Sequence, residues 1–141
     1  MSKFKFSNFQ PVKLNIDGQE WSTVEHYYQA MKSIDQSEQR KIRLADTPSI
    51  AKKLGRKATM RPDWESVKED VMMRALRAKF AQPDHRKSLL STGSEEIVET
   101  NSWHDNEWGQ CYCQKCKSKT GKNKLGKLLM KLREELRNGP L

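Results

Sequence analysis

RPDWESVKEDVMMRALRAKF, residues 61–80, is the stretch on which the fold turns. Trp64, Val67, Val71, Ala75 and Ala78 recur at steps of three and four, the spacing of one helical face, with no glycine or proline between them. Asp63 stands at the N-cap position. The pattern predicts a helix over Trp64–Phe80 that serves as the central packing element, with Trp64 either filling the core or stacking on a base.

Toward the N-terminus, residues 12–16 alternate as a strand does. Asp17-Gly18 signals a tight turn, and Gln19–Trp21 returns as the partner strand. Ser22 or Thr23 then caps a helix reaching about Lys32. A second helix is expected over 37–45 and a third over 48–54, opened by Thr47-Pro48 and ended by Gly55. Toward the C-terminus, Pro83 opens a helix over 84–90, and Thr92-Gly93 breaks it before a short strand at 95–99. A last helix over 123–137 carries Leu125, Leu128, Leu132 and Leu136 on one stripe and stops at Asn138-Gly139-Pro140. The expected fold is therefore α+β: one mainly helical domain over residues 1–141 with a small antiparallel hairpin.

Composition narrows the function classes. The chain has 141 residues, 35% hydrophobic and 32% charged, enough for one core and too polar for a membrane protein. No apolar run approaches the ~20 residues that span a bilayer, and MSKFKFSNFQ lacks the apolar stretch of a leader. Three cysteines cannot close into a complete disulfide set. A soluble cytoplasmic protein with no membrane partner is expected. The net charge of +9 is concentrated in residues 111–141, where nine Lys/Arg face two Glu. Such a patch suits a phosphorylated metabolite or nucleic acid, and equally a solvated lysine face.

Three constellations could carry chemistry. In EHYYQAMK, residues 25–32, steps of four and seven put Glu25, Gln29 and Lys32 on one helix face. A carboxylate there could stabilise an oxocarbenium ion or orient water, and a lysine of depressed pKa could attack an anomeric carbon and form a Schiff base. The alternative is an ordinary solvent face. In the irregular stretch 101–122, Trp103 and Trp108 flank His104, Asp105 and Glu107, a setting in which a base could be held, although an aspartate in such a loop is often a turn residue. His104, Cys111, Cys113 and Cys116 offer an imidazole and three thiols for a tetrahedral zinc that would staple the loop rather than catalyse, with free thiols as the alternative. Gly121, Asn123 and Gly126, among lysines at a helix start, could hold a phosphate.

FSNF at 6–9, EHYYQAMK at 25–32, LGR at 54–56, RPDWESVKEDVMMRALRAKF at 61–80, LLSTG at 89–93, DNEWG at 105–109 and GKNKLGKLLMKLRE at 121–134 together resemble the NADAR superfamily and, within it, the YbiA-like N-glycosidases. The resemblance covers nearly the whole chain in the same order. It implies an α+β domain that hydrolyses the C1–N bond of a phosphorylated N-riboside without a cofactor. The substrates it implies are early ribosylamino-pyrimidine phosphates of riboflavin synthesis or, as in related members, ADP-ribose on guanine in nucleic acid. By motif position it marks Glu25 as a catalytic carboxylate and Asp105 as a loop partner in the same catalytic site; Lys32 matches the family helix, and its assignment as a catalytic nucleophile rests on its alignment with Glu25. Trp64 and Trp108 would hold the base, and Asn8, Phe9, Arg56, Gly109 and Asn123 would complete the substrate site.

The chain departs from the family in two places. Only five residues precede Phe6 where the family usually opens with a strand, which admits a non-catalytic binder of ADP-ribose or NAD as a further alternative. After Gly109, QCYCQKCKSKT replaces a short glycine-rich loop.

Overall fold

The computed structural model describes residues 6–139, and the chain divides into two compact units, Asn8–Gln82 and residues 83–139 with Phe6 and Ser7. Among the described residues there are six helices and two small two-stranded sheets, a mainly helical α+β fold. No helix among them is long and apolar enough to cross a membrane. Residues 1–5, part of the segment read as lacking a leader, lie outside the described residues.

The first unit opens with the expected hairpin, β1 (Leu14–Ile16) antiparallel to β2 (Gln19–Trp21), with Leu14 opposite Trp21. Asp17 and Gly18 both take positive φ, 53° and 81°, the pair of left-handed residues that closes a two-residue turn with the right twist. Helix α1 (Val24–Ala30) follows, its N-cap Thr23 accepting from the His26 N–H at 3.0 Å. The helix is buried along its whole length, enclosed by α2 (Gln36–Arg43), α3 (Pro48–Lys57) and α4 (Trp64–Phe80). Even His26 is a satisfied core residue, its ring nitrogens bonded to Thr23 Oγ1 and the Ala45 carbonyl.

Several boundaries differ from the sequence reading. Helix α1 ends at Ala30, with Met31 as C-cap, so Lys32 lies just past it. The second helix starts at Gln36 because Asp35 caps it, accepting from the N–H groups of Ser37 and Glu38. Helix α3 does not stop at Gly55 but runs on to Lys57. The glycine is there for proximity: a Cβ on Gly55 would sit 2.0 Å from Gln29 Oε1, so α3 can lie against α1 only where a side chain is missing. The termini of α4 agree with expectation, but Asp63 caps by position only, its carboxylate held by Arg61. The buried face of α4 is also rotated. Trp64, Lys68, Met72, Leu76 and Lys79 line it, while Val67, Val71 and Ala78 are half-buried, because lysine stems and methionines fill the space that β-branched residues were expected to fill.

In the second unit α5 (Pro83–Leu90) packs on α6 (Lys124–Asn138). Between them β3 (Thr100–Asn101) pairs in parallel with β4 (Gln110–Cys111). The strand expected at 95–99 is absent: Ile97 is buried there, and the Asn123 amide bonds the Ile97 carbonyl and the Glu99 N–H in place of a neighbouring strand. Helix α6 buries Leu125, Leu129, Leu132 and Leu136, so Leu129 rather than Leu128 completes the stripe. Pro140, expected to help end the helix, lies outside the described residues.

Candidate active site

The face of α1 carrying Glu25 and Gln29 points inward, which removes the solvent-face alternative. Glu25 is 8% and Gln29 3% exposed, and Gln29 Nε2 donates to Glu25 Oε2 at 2.6 Å. A buried carboxylate costs free energy unless its lone pairs are met, and the amide one turn away meets one of them. Gln29 Oε1, also buried, accepts nothing among the described residues. The N-terminus of α1 is tied down as well, the Glu25 N–H donating to the Asn8 carbonyl and Asn8 Nδ2 to Met72 Sδ.

Lys32 is held by its backbone, not by the helix. Its N–H donates to the Gln29 carbonyl, and its own carbonyl accepts from Arg61 N at 2.7 Å, beside an antiparallel bridge of Ser33 to Met60. Nζ lies 5.5 Å from the centre of the Tyr28 ring, and Tyr28 packs against Trp64 with ring centroids 5.1 Å apart. Burial pushes the Lys32 ammonium below the ordinary lysine range. The charge of Glu25 opposes that shift, and Arg56, Lys52 and Lys68 reinforce it. The result is a lysine whose ammonium is less favoured than it is in water.

Within this unit Glu25 and Gln29 are hydrogen-bonded on one buried helix face, and Lys32 follows just past the end of that helix. Trp64, at 4% exposed, packs its ring against Tyr28. Asn8 and Phe9 are half-buried, and Arg56 is exposed and acts on Lys32 through its charge. Sequence reasoning missed Tyr28, Lys52 and Lys68 as surroundings of Lys32. Lys68 had a signal, one turn beyond Trp64 in the row that α4 buries.

The remaining candidates lie in the second unit. Asp105 Oδ1 accepts from the N–H groups of Glu107 and Trp108 at 3.1 and 2.9 Å, so this oxygen shapes a turn. Asn101 holds the same turn, Nδ2 donating to the Asp105 carbonyl and Oδ1 accepting from the N–H groups of Trp103 and Asp105. Trp108 is half-buried and Trp103 exposed. Gly109 is buried, and only a glycine fits there, since a Cβ would meet the Glu99 carbonyl at 2.4 Å. At the start of α6 the N–H groups of Asn123, Lys124 and Leu125 donate to the carbonyls of Gly109, Glu107 and Trp108. With the Asn123 amide also spent on the 97–99 segment, the donors expected to cradle a phosphate are used by the loop itself. His104, Cys111, Cys113 and Cys116 converge, with their ligand atoms all within 4.8 Å of one another.

Comparison with known proteins gives the family. The NADAR domain family model matches residues 1–137. The chain is 44% identical over 134 residues to N-glycosidase YbiA of Escherichia coli (strain K12), covering 93% of this chain and 80% of that one. It is 45% identical over 139 residues to an N-glycosidase of Nostoc punctiforme, covering 94% and 85%. It is also 39% identical over 149 residues to the chloroplastic riboflavin biosynthesis protein PYRR of Zea mays, covering 93% of this chain and 23% of that one. The NMR structure of E. coli YbiA matches with a TM-score of 0.81 at 42% identity, over 93% of this chain and 76% of that one. With the family match running through almost the entire sequence and relatives of this identity named N-glycosidases, the chain belongs to the NADAR domain family and is an N-glycosyl hydrolase.

Proposed function

We propose that the enzyme cleaves the C1–N bond of a phosphorylated N-riboside, and that its substrates are early ribosylamino-pyrimidine phosphates of riboflavin synthesis. The observation that carries this reading is the buried Glu25–Gln29 pair, with Lys32, its ammonium destabilised by burial, following the same helix. A relative named for riboflavin biosynthesis supports the substrate class.

As the C1–N bond lengthens, positive charge gathers on C1 and the ring oxygen. A carboxylate fixed in a poorly solvated site stabilises that charge more strongly than water does, and it pays no reorganisation cost at the moment of reaction. The neutral Lys32 amine attacks C1 while the electron pair of the C1–N bond leaves with the nitrogen. Glu25 takes the proton released from Nζ and returns it to the departing nitrogen. Opening of the ribose ring then gives an imine on Nζ, and addition of water to C1 releases the sugar and restores the amine. Gln29 keeps the carboxylate aimed. No cofactor enters these steps.

Borohydride added during turnover tests the sequence. A stable sugar adduct on Lys32, located by mass spectrometry, is expected. Turnover without any adduct would leave Glu25 activating water directly.

A second reading, removal of ADP-ribose from guanine in nucleic acid, is favoured by one observation. The excess positive charge of the chain lies in residues 111–141, where Lys115, Lys117, Lys119, Lys122, Lys127 and Lys131 are exposed.

A further inference from the structure

We propose that His104, Cys111, Cys113 and Cys116 form a structural zinc site that staples the loop after β3. The argument is geometric. Zinc bonds of about 2.3 Å to sulfur and 2.0–2.1 Å to nitrogen, arranged tetrahedrally, put sulfur and nitrogen ligands about 3.5 Å apart. His104 Nδ1 lies 3.2 Å from Cys113 Sγ, 3.4 Å from Cys116 Sγ and 4.0 Å from Cys111 Sγ, distances that bracket that separation. All three cysteines are free thiols, so the convergence is not the by-product of a disulfide.

The Cys111 sulfur is supported by the backbone around it. The backbone N–H groups of His104 and Cys113 donate to Cys111 Sγ at 3.3 and 3.4 Å, the kind of support that metal-bound sulfur receives from its outer shell. His104 adopts φ of 69°, a left-handed conformation uncommon for histidine, with its Nδ1 among the three sulfurs. The pairing of β3 with β4 brings the two ends of the site into register, because Asn101 lies opposite Cys111. Three soft thiolates and an imidazole select zinc over magnesium, calcium or manganese, and four protein ligands leave no open position for catalysis. The ion would bind the 111–116 segment to His104, next to the Asp105 turn and the 107–109 carbonyls that receive the first N–H groups of α6.

The test uses the full chain purified under reducing conditions without chelator, then reconstituted with zinc. Elemental analysis should find about one zinc per chain, and the thiols should resist a thiol reagent until a strong chelator is added. Cobalt should give intense visible bands and a sulfur-to-metal charge-transfer band. Removal of zinc should lower Tm by ~5 °C or more, and Cys113→Ser should lower zinc content and Tm together. Zinc far below stoichiometry after reconstitution, thiols that react at one rate with and without chelator, or cobalt without a charge-transfer band would each overturn the proposal. These readouts hold whether or not the enzyme turns over a given riboside.

Discussion

Gln29 Nε2 donates to Glu25 Oε2 at 2.6 Å, one helical turn away on a face that excludes water. That bond depends on a third position, since Gln29 lies against the bare backbone of Gly55. The pairing of α1 with α3 thus decides both how the helices pack and where the carboxylate points.

Gly55→Ala should therefore harm stability and activity together. The added methyl group must displace the Gln29 amide, and overpacking of this kind costs about 1–3 kcal/mol. Denaturant unfolding should show that loss, with kcat falling as the Glu25 carboxylate loses its partner. Combining Gly55→Ala with Gln29→Ala should cost less than the sum of the two single changes, because the clash vanishes with the side chain. Strict additivity would mean that the two residues do not meet.

The Lys32 shift sets a sign for the pH dependence. Burial, with Arg56, Lys52 and Lys68, favours the neutral amine, so the reactive form gains population as pH rises through a value below the usual ~10.4. The rate should climb with pH and level off below that value. Arg56→Gln removes one of the depressing charges and should move this limb toward alkaline pH. An unmoved limb, or one unchanged in Lys32→Arg, would show that another group titrates.

Salt separates the two substrate readings. Affinity for a nucleic acid falls steeply between about 50 and 200 mM salt when several phosphates are contacted, and affinity for a small phosphate far less. A ribosylamino-pyrimidine phosphate should bind with little salt dependence. A steep dependence that weakens when Lys117, Lys119 and Lys122 are changed to Gln would favour the nucleic-acid substrate.

How much of this the sequence disclosed depended on the range of the interaction. Local signals sufficed for Trp64–Phe80 and for the Asp17-Gly18 turn, and they narrowed the cap to Ser22 or Thr23, of which the structure uses Thr23, because periodicity, left-handed turn residues and capping are set by near neighbours. Gly55 was misread as a helix end because its reason is a contact with Gln29. The expected strand at 95–99 failed for a similar reason, its backbone partner being the side chain of Asn123. In the site, spacing placed Glu25 and Gln29 on one face, but only the fold shows that this face is buried and that Lys32, past the end of the helix, is fixed by Arg61. The four metal-ligand candidates were visible as residue types, whereas their convergence needed the β3–β4 pairing and the left-handed turn at His104.

The decisive experiment is release of base from a ribosylamino-pyrimidine phosphate and from an ADP-ribosylated-guanine oligonucleotide in parallel, by wild type and by Glu25→Ala. Wild type should turn over the pyrimidine phosphate, and the variant should lose about 10²–10⁴-fold in kcat while still folding and binding ligand. Release from neither substrate by wild type, or equal rates from wild type and Glu25→Ala, would contradict an N-glycosidase that works through Glu25.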